Sequence, residues 1–335
     1  MLPAFLGLSG TSLTAAERRL IRDADPAGFC LFGRNVENRA QLRALTDALR
    51  DLSGRADLPI LIDQEGGRVA RLRPPVWPDF PAAARFAALY EKAPISAIEA
   101  VRVNAMALAL TLAEVGINVD AAPVLDLLHP GANAVVSDRS FGADPLQVAA
   151  LGGAMLDGLA GGGVGGVLKH APGHGRATAD SHFALPVVDA PPEDLAADLA
   201  PFRTLARRAP MAMTAHILFK TWDRQHPATL SPTIVADIIR GEIGFDGLLM
   251  TDDIAMKALS GPLADRARAA LAAGVDIVLH CSGKAKDNEK LASALPPIGA
   301  EAAARLERAM ATTGSATPGD LAALTAKRDA LLALA

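Results

Sequence analysis

Eight short apolar runs, separated by segments whose apolar residues recur at helical spacing, constrain this chain more than any other feature. The runs are Ala4–Leu8, Gly28–Phe32, Pro59–Ile62, Ile117–Ala121, Gly165–Leu168, Met211–Met213, Leu248–Met250 and Asp276–Leu279. Several are too continuous to be half-exposed strands, and strands buried on both faces belong to parallel sheets. Between them, Leu42, Leu45, Leu49 and Leu52 lie on one helix face, as do Val103, Ala107 and Leu110, and Leu195, Leu199 and Phe202. Pro and Gly gather at the joints, for example Pro172-Gly173 and Gly241 to Gly247.

Strand–helix alternation over 335 residues predicts an α/β chain, a (β/α)8 TIM-type barrel. A doubly wound sheet would want a glycine-rich turn after its first strand, and Ser9-Gly10-Thr11-Ser12 does not fit. No linker or composition break divides the chain, so residues 1–335 read as a single domain. The Ala-rich stretch from about 300 to 335 reads as closing helices.

Composition narrows the class. Half the residues are hydrophobic, enough for a large core, and the net charge of -4 gives no footprint for nucleic acid. Cys30 and Cys281 sit in or beside apolar runs and read as buried free thiols. The first ten residues lack a basic region and a small-residue cleavage site, and read as a strand rather than a signal peptide. No uninterrupted apolar span reads as long enough to cross a membrane. The expectation is a cytoplasmic, soluble protein that acts as a monomer.

The polar residues carry the chemistry. Run after run ends in a reactive side chain: Asp63, Asp120, Lys169 with His170, His216, Asp252, His280. In a barrel the C-terminal strand ends share one mouth, so these side chains converge from distant sequence. Asp252 follows the run Leu248–Met250. A carboxylate there can attack an anomeric carbon, or Asp252-Asp253 can cap a helix beginning near Ile254, with Asp253 the better cap. Asp180 and His182 lie two apart, on one face of an extended segment. There the carboxylate would orient the imidazole for proton transfer; otherwise the pair only makes turns in a surface loop. Gly173 and Gly175 read as hinges of a mobile loop.

Lys169 and His170 suit hydrogen bonding to a polyhydroxylated ligand. Asp63, in Asp63-Gln64-Glu65-Gly66-Gly67-Arg68, converges with Arg71 to grip sugar hydroxyls or to form an internal ion pair. Arg139, in Asp138-Arg139-Ser140-Phe141, is a ligand clamp or a partner for Asp138. Asp120 and Asp126, on either side of Pro123, read as structural. His170 and His174 have a zinc-like spacing, but Pro172 and Gly173 break the helix that spacing needs and no third ligand is spaced to complete a site, so neither metal nor cofactor is expected.

Taken in order, these motifs resemble the single-domain bacterial β-N-acetylglucosaminidases of glycoside hydrolase family 3. The carrying residues are Leu31-Phe32-Gly33-Arg34-Asn35, Asp63 to Arg68, Ala122 to Asp126, Asp138 to Phe141, Lys169 to Gly175 with Ala179-Asp180-Ser181-His182, Met213 to His216, and Gly244 to Gly247 through Thr251-Asp252-Asp253. The resemblance implies a retaining exo-enzyme of cell-wall recycling, acting on muropeptides that carry GlcNAc on 1,6-anhydro-N-acetylmuramic acid. It implies Asp252 as nucleophile, His182 paired with Asp180 as general acid/base, and Asp63, Arg71, Arg139, Lys169 and His170 on the non-reducing sugar. It further implies that Ala171 replaces a usual Phe and that Lys257-Ala258-Leu259-Ser260 is divergent, both bearing on the leaving group. Rival expectations are another family 3 β-glycosidase, an N-acetylglucosaminide phosphorylase, a metal-dependent barrel hydrolase built on His170, His174 and His182, and a catalytically silent sugar-binding protein.

Overall fold

The structure is a computed structural model, and it describes the whole chain except residues 132, 134 and 135. Eight strands close into a barrel: β1 (Leu2–Gly7), β2 (Pro26–Leu31), β3 (Ile60–Ile62), β4 (Val119–Asp120), β5 (Gly165–Ala171), β6 (Met211–Thr214), β7 (Leu248–Asp253) and β8 (Ile277–His280). Each pairs in parallel with its sequence neighbours, and β1 closes on β8 through Ala4–Val278, Phe5–Leu279 and Leu6–His280. All eight predicted runs are therefore barrel strands, and the predicted (β/α)8 fold is the observed one.

The side chains split by pleat. Phe5, Leu61, Val119, Val167, Met211, Met213, Leu248, Met250 and Leu279 fill the barrel interior. Their alternates, such as Leu6, Ile60, Leu168, Ala212 and Leu249, pack outward against the helices. Burial on both faces is why these strands read as continuous apolar runs rather than alternating ones.

The helices start where local chemistry allows. Helix α1 (Ala15–Ala24) opens on a Thr14/Glu17 capping box, and α2 (Arg39–Ser53) on Asn38. Then come α3 (Ala83–Tyr90), α4 (Pro94–Glu114), and α5 (Pro145–Gly161), which is capped by Asp144. Helix α6 (Pro192–Leu205) precedes β6, and a π-helical segment Ile234–Glu242 precedes β7. Helices α7 (Leu263–Ala272) and α8 (Ala285–Ala294) complete the wrap, and α9 (Ala300–Met310) and α10 (Leu321–Leu332) are the expected closing helices.

Two expectations are corrected. No helix begins at Ile254: the chain turns from there until α7 starts at Leu263. Helix α4 is, by length and a hydropathy of 1.5, long and apolar enough to cross a membrane, where the sequence reading had found no such span. Its apolar residues are nonetheless mostly buried within the protein, among them Ala97, Val101, Ala105, Leu108 and Leu112. The contact between α4 and α5 is backbone-close: a Cβ on Gly158 of α5 would lie 2.3 Å from the Arg102 carbonyl oxygen and 2.6 Å from Ala105 Cβ.

That approach predicts that Gly158→Val is an overpacking substitution, costing about 1–3 kcal/mol and lowering the thermal midpoint by several degrees. An unchanged midpoint in calorimetry would show that the two helices do not pack this closely.

Candidate active site

The C-terminal ends of the strands surround a cavity of about 650 Å³. Its wall includes Asp63, Glu65, Arg71, Asp126, Arg139, Lys169, His170, His174, Asp180, His182 and Asp252. Every residue singled out from the sequence as catalytic or substrate-binding is thus brought to one space.

On one side of the cavity lies a charge network. Lys169, only 2% exposed, points its ammonium at Asp63 Oδ1 (3.0 Å) and Glu65 Oε1 (2.6 Å). Arg71 reaches the other oxygen of Asp63 at 2.9 Å. Arg139 donates two hydrogen bonds to Glu65, both 2.8 Å. Asp138 instead takes Arg68 at 2.6 Å. The sequence alternatives for Arg139, a ligand clamp or a partner for Asp138, omitted its actual partner, Glu65. Burial alone would raise the two carboxyls. Lys169 more than reverses this, with Arg71 at Asp63 and Arg139 at Glu65, so Asp63 lies well below the usual range and Glu65 falls to about 2. Burial works against the Lys169 charge too, and Asp63 and Glu65 overcome it, raising its pKa further.

Asp126 binds His170 at the end of β5 and His174 just beyond it. Its Oδ2 accepts Nδ1–H of His170 at 2.7 Å, and its Oδ1 accepts the backbone N–H groups of His170 (3.2 Å) and His174 (2.7 Å). Burial opposes ionisation here, but His170 and these hydrogen bonds hold Asp126 far below the usual range. With Nδ1 committed, His170 has Nε2 left for the cavity. His174 is buried, shares a 3.3 Å hydrogen bond with Ser181 Oγ, and is pushed down by burial to about 4. It is a neutral prop under the loop that follows β5.

That loop is pinned rather than hinged over its first half. A Cβ on Gly175 would sit 2.1 Å from the Leu127 carbonyl oxygen, so glycine there serves close approach of two backbones. Arg176 is tied to Asp198 at 2.5 Å, and the Asn133 N–H donates to the Ala177 carbonyl at 3.0 Å. Beyond it, Asp180 opens a turn instead of the expected extended segment. Its Oδ1 accepts both the backbone N–H (2.9 Å) and Nδ1–H (2.8 Å) of His182. The turn brings the two groups together and leaves the His182 side chain 60% exposed at the mouth. Burial is the largest single influence and opposes the Asp180 charge, but the two hydrogen bonds and the charge of His182 together outweigh it and lower the Asp180 pKa. Val187–Val188 then pairs with Leu218–Phe219, fixing the far end of the loop.

At the end of β7 two adjacent carboxyls are driven apart. Burial raises both. At Asp252 it is outweighed by His216, His170, the Asp253 N–H at 2.7 Å and Lys169, so this carboxyl is lowered. At Asp253 burial prevails, reinforced by the charge of Asp252. Asp253 Oδ1 accepts N–H groups from Ala255 (3.0 Å) and Cys281 (3.1 Å), so it caps a turn, not a helix. His216 donates Nε2–H to the Asp253 carbonyl (3.0 Å) and receives Thr229 at Nδ1 (2.7 Å), steadying the pair from β6. An ionised carboxylate beside a more readily protonated one, in the same cavity as an oriented imidazole, can perform nucleophilic and proton-transfer chemistry.

His170, His174 and His182, the histidines of the metal alternative, each bond through one ring nitrogen, to Asp126, Ser181 and Asp180 respectively. Among the described residues, no three His, Cys, Asp or Glu side chains are arranged to hold a metal ion.

Comparison with known proteins sets this geometry in context. Residues 5–312 match the model of the glycosyl hydrolase family 3 N terminal domain. A beta-hexosaminidase of Aromatoleum aromaticum is 38% identical over 94% of this chain and 89% of its own length. One from Alkalilimnicola ehrlichii is 41% identical over 84% and 80%. The crystal structure of NagZ from Neisseria gonorrhoeae in complex with N-trifluoroacetyl-D-glucosamine superposes with a TM-score of 0.88. It is 32% identical and covers 99% of this chain and 97% of that one.

Asp120, at the end of β4, is buried in a way that makes stability depend on pH. Its Oδ1 accepts the Gln64 N–H at 3.0 Å, while its buried Oδ2 has no partner among the described residues. Burial raises its pKa from 3.8 to about 7, against the pull of the Gln64 N–H and Lys169. The unfolded chain loses this proton near pH 4 and the folded chain near 7, so stability falls as pH rises between them. Asp120→Asn removes that loss. Its midpoint relative to the parent should be higher at pH 8 than at pH 4.5, and a pH-independent difference in melting curves would overturn the assignment.

Proposed function

This chain belongs to glycosyl hydrolase family 3, and we propose that it is a retaining exo-β-N-acetylglucosaminidase releasing terminal GlcNAc from muropeptides through a glycosyl–aspartate intermediate. At the coarser level it is a glycoside hydrolase of β-N-acetylhexosaminidase type. The observation that carries the finer reading is one cavity holding both a lowered carboxyl, Asp252, and a carboxylate-oriented imidazole, His182.

In this reading Asp252 attacks the anomeric carbon while His182, from Nε2, protonates the departing oxygen. Asp180 holds the opposite nitrogen of the ring and stabilises the imidazolium. After the leaving group departs, neutral His182 takes a proton from water, and the hydroxide character so generated cleaves the ester. An imidazole does this without adding a second negative charge beside Asp252, as the usual carboxylate acid/base would. Asp63, Arg71, Arg139, Lys169 and His170 hold the non-reducing sugar; Arg139 also fixes Glu65 and through it Lys169. Lys169 has one ammonium proton beyond those aimed at Asp63 and Glu65, and His170 has Nε2, so each can bond a hydroxyl. The GlcNAc end of the substrate is supported by the N-trifluoroacetyl-D-glucosamine that the gonococcal protein binds. The muropeptide leaving group rests on the resemblance of the motifs.

The whole chain acts in this reading as one catalytic domain and as a monomer, since its own strand ends line the cavity. Two unbridged thiols, Cys30 and Cys281, suit the reducing cytoplasm.

Asp252→Ala should lower kcat/KM by roughly four orders of magnitude. Near-normal turnover would remove Asp252 from the nucleophile role. His182→Ala should penalise aryl glycosides with poor leaving groups far more than those with good ones. Equal losses across the series would exclude it as the acid. NMR of the first-formed product should show the β-anomer of GlcNAc, with or without added phosphate. An α-product would exclude retention, and a sugar phosphate would identify a phosphorylase.

A further inference from the structure

Phe183 follows the acid/base residue and lines the cavity, yet it is 72% exposed. Among the described residues it is the only Phe, Tyr or Trp side chain standing mostly in solvent. Leaving a ring in water forgoes the burial gained by Phe5, Phe29, Phe202, Phe219 and Phe245. The Lys257 ammonium lies 5.8 Å from the centre of this ring. Lys169, Arg71 and Arg139 in the cavity wall each have carboxylate partners, and Arg34 there bonds the backbone carbonyls of Leu8 and Cys281; Lys257, next to the lining residue Met256, has no ion pair among the described residues. The two segments are joined directly, because the Ala258 N–H donates to the Ser181 carbonyl at 3.1 Å. The 257–260 segment is therefore bound to the loop that carries the dyad.

We propose that Phe183 and Lys257 form the leaving-group subsite, in which the ring receives the apolar face of the departing sugar and the ammonium pairs with a carboxylate that the leaving group carries. This rests on the β-N-acetylglucosaminidase reading above. The acid must touch the leaving oxygen, so the residue beside it borders the leaving group, while Asp63 and Lys169 border the other sugar. The ring also holds the ammonium near its face, lowering the entropy lost when it pairs. The carboxylate belongs either to the sugar's lactyl ether or to an attached acidic peptide.

The test compares substrates within each variant. They are GlcNAc–1,6-anhydro-N-acetylmuramic acid, its lactyl methyl ester, the same disaccharide bearing an acidic peptide, and β-GlcNAc fluoride, whose leaving group is too small to reach the subsite. In Lys257→Met the acid-to-ester or the peptide-to-ester ratio of kcat/KM should fall about threefold to fivefold, and Lys257→Arg should retain it. Which ratio falls identifies the source of the carboxylate. In Phe183→Ala the ester-to-fluoride ratio should fall about fivefold, with Phe183→Tyr retaining it. Unchanged ratios, including a uniform loss on all four substrates, would overturn the subsite. If the parent enzyme hydrolysed the fluoride but none of the disaccharides, the muropeptide reading itself would fail.

Discussion

A single buried ammonium organises the mouth of this barrel. Lys169 leaves water almost completely, and a charge so placed is tolerable only if its partners surround it. Asp63 and Glu65 do so, and they come from the end of β3, so the ion pairs join the third strand to the fifth across the fourth. Arg71 and Arg139 then bind the remaining carboxylate oxygens. Each charge in the network is held by at least one neighbour of opposite sign. The result is a rigid polar wall whose spare donors face the cavity, which is what recognition of a hydroxyl-rich ring requires.

The cavity contains two carboxylate–imidazole pairs, and burial differentiates them. Asp126–His170 is enclosed, with Asp126 also fixed by backbone N–H groups, so its geometry is set before any ligand arrives. Asp180–His182 stands in a turn at the rim, in contact with solvent from which a proton or water molecule can come. The same two residue types thus form an enclosed, fixed pair in one place and a solvent-contacting pair at the rim in the other. Asp252 and Asp253 make the same point with carboxyls: one sequence step apart, one is lowered by nearby imidazoles and the other raised by burial beside its neighbour's charge.

The fold was legible because its signal is local. A strand buried on both faces must be apolar at consecutive positions, and all eight such runs occupy barrel strands. The strand-end polar residues were legible for the same reason, since a barrel delivers every C-terminal strand end to one face. What misled was local chemistry with more than one use. Asp253 has the character of a helix cap but closes a turn. Gly175 has the character of a hinge but permits contact with the Leu127 backbone. Helix α4 is long and apolar overall, but Glu99, Arg102 and Asn104 break its apolar run along the sequence.

By itself the sequence determined the order of strands and helices, the two-apart spacing of Asp180 and His182, and which reactive residues stand at strand ends, because each is a property of neighbouring residues along the chain. Only the tertiary structure decided the pairings: Arg139 with Glu65 across 74 positions, His170 with Asp126 across 44, and Lys257 against Phe183. Charge and ring contacts act through space, and the distances that govern them are set by barrel closure, which no local pattern encodes.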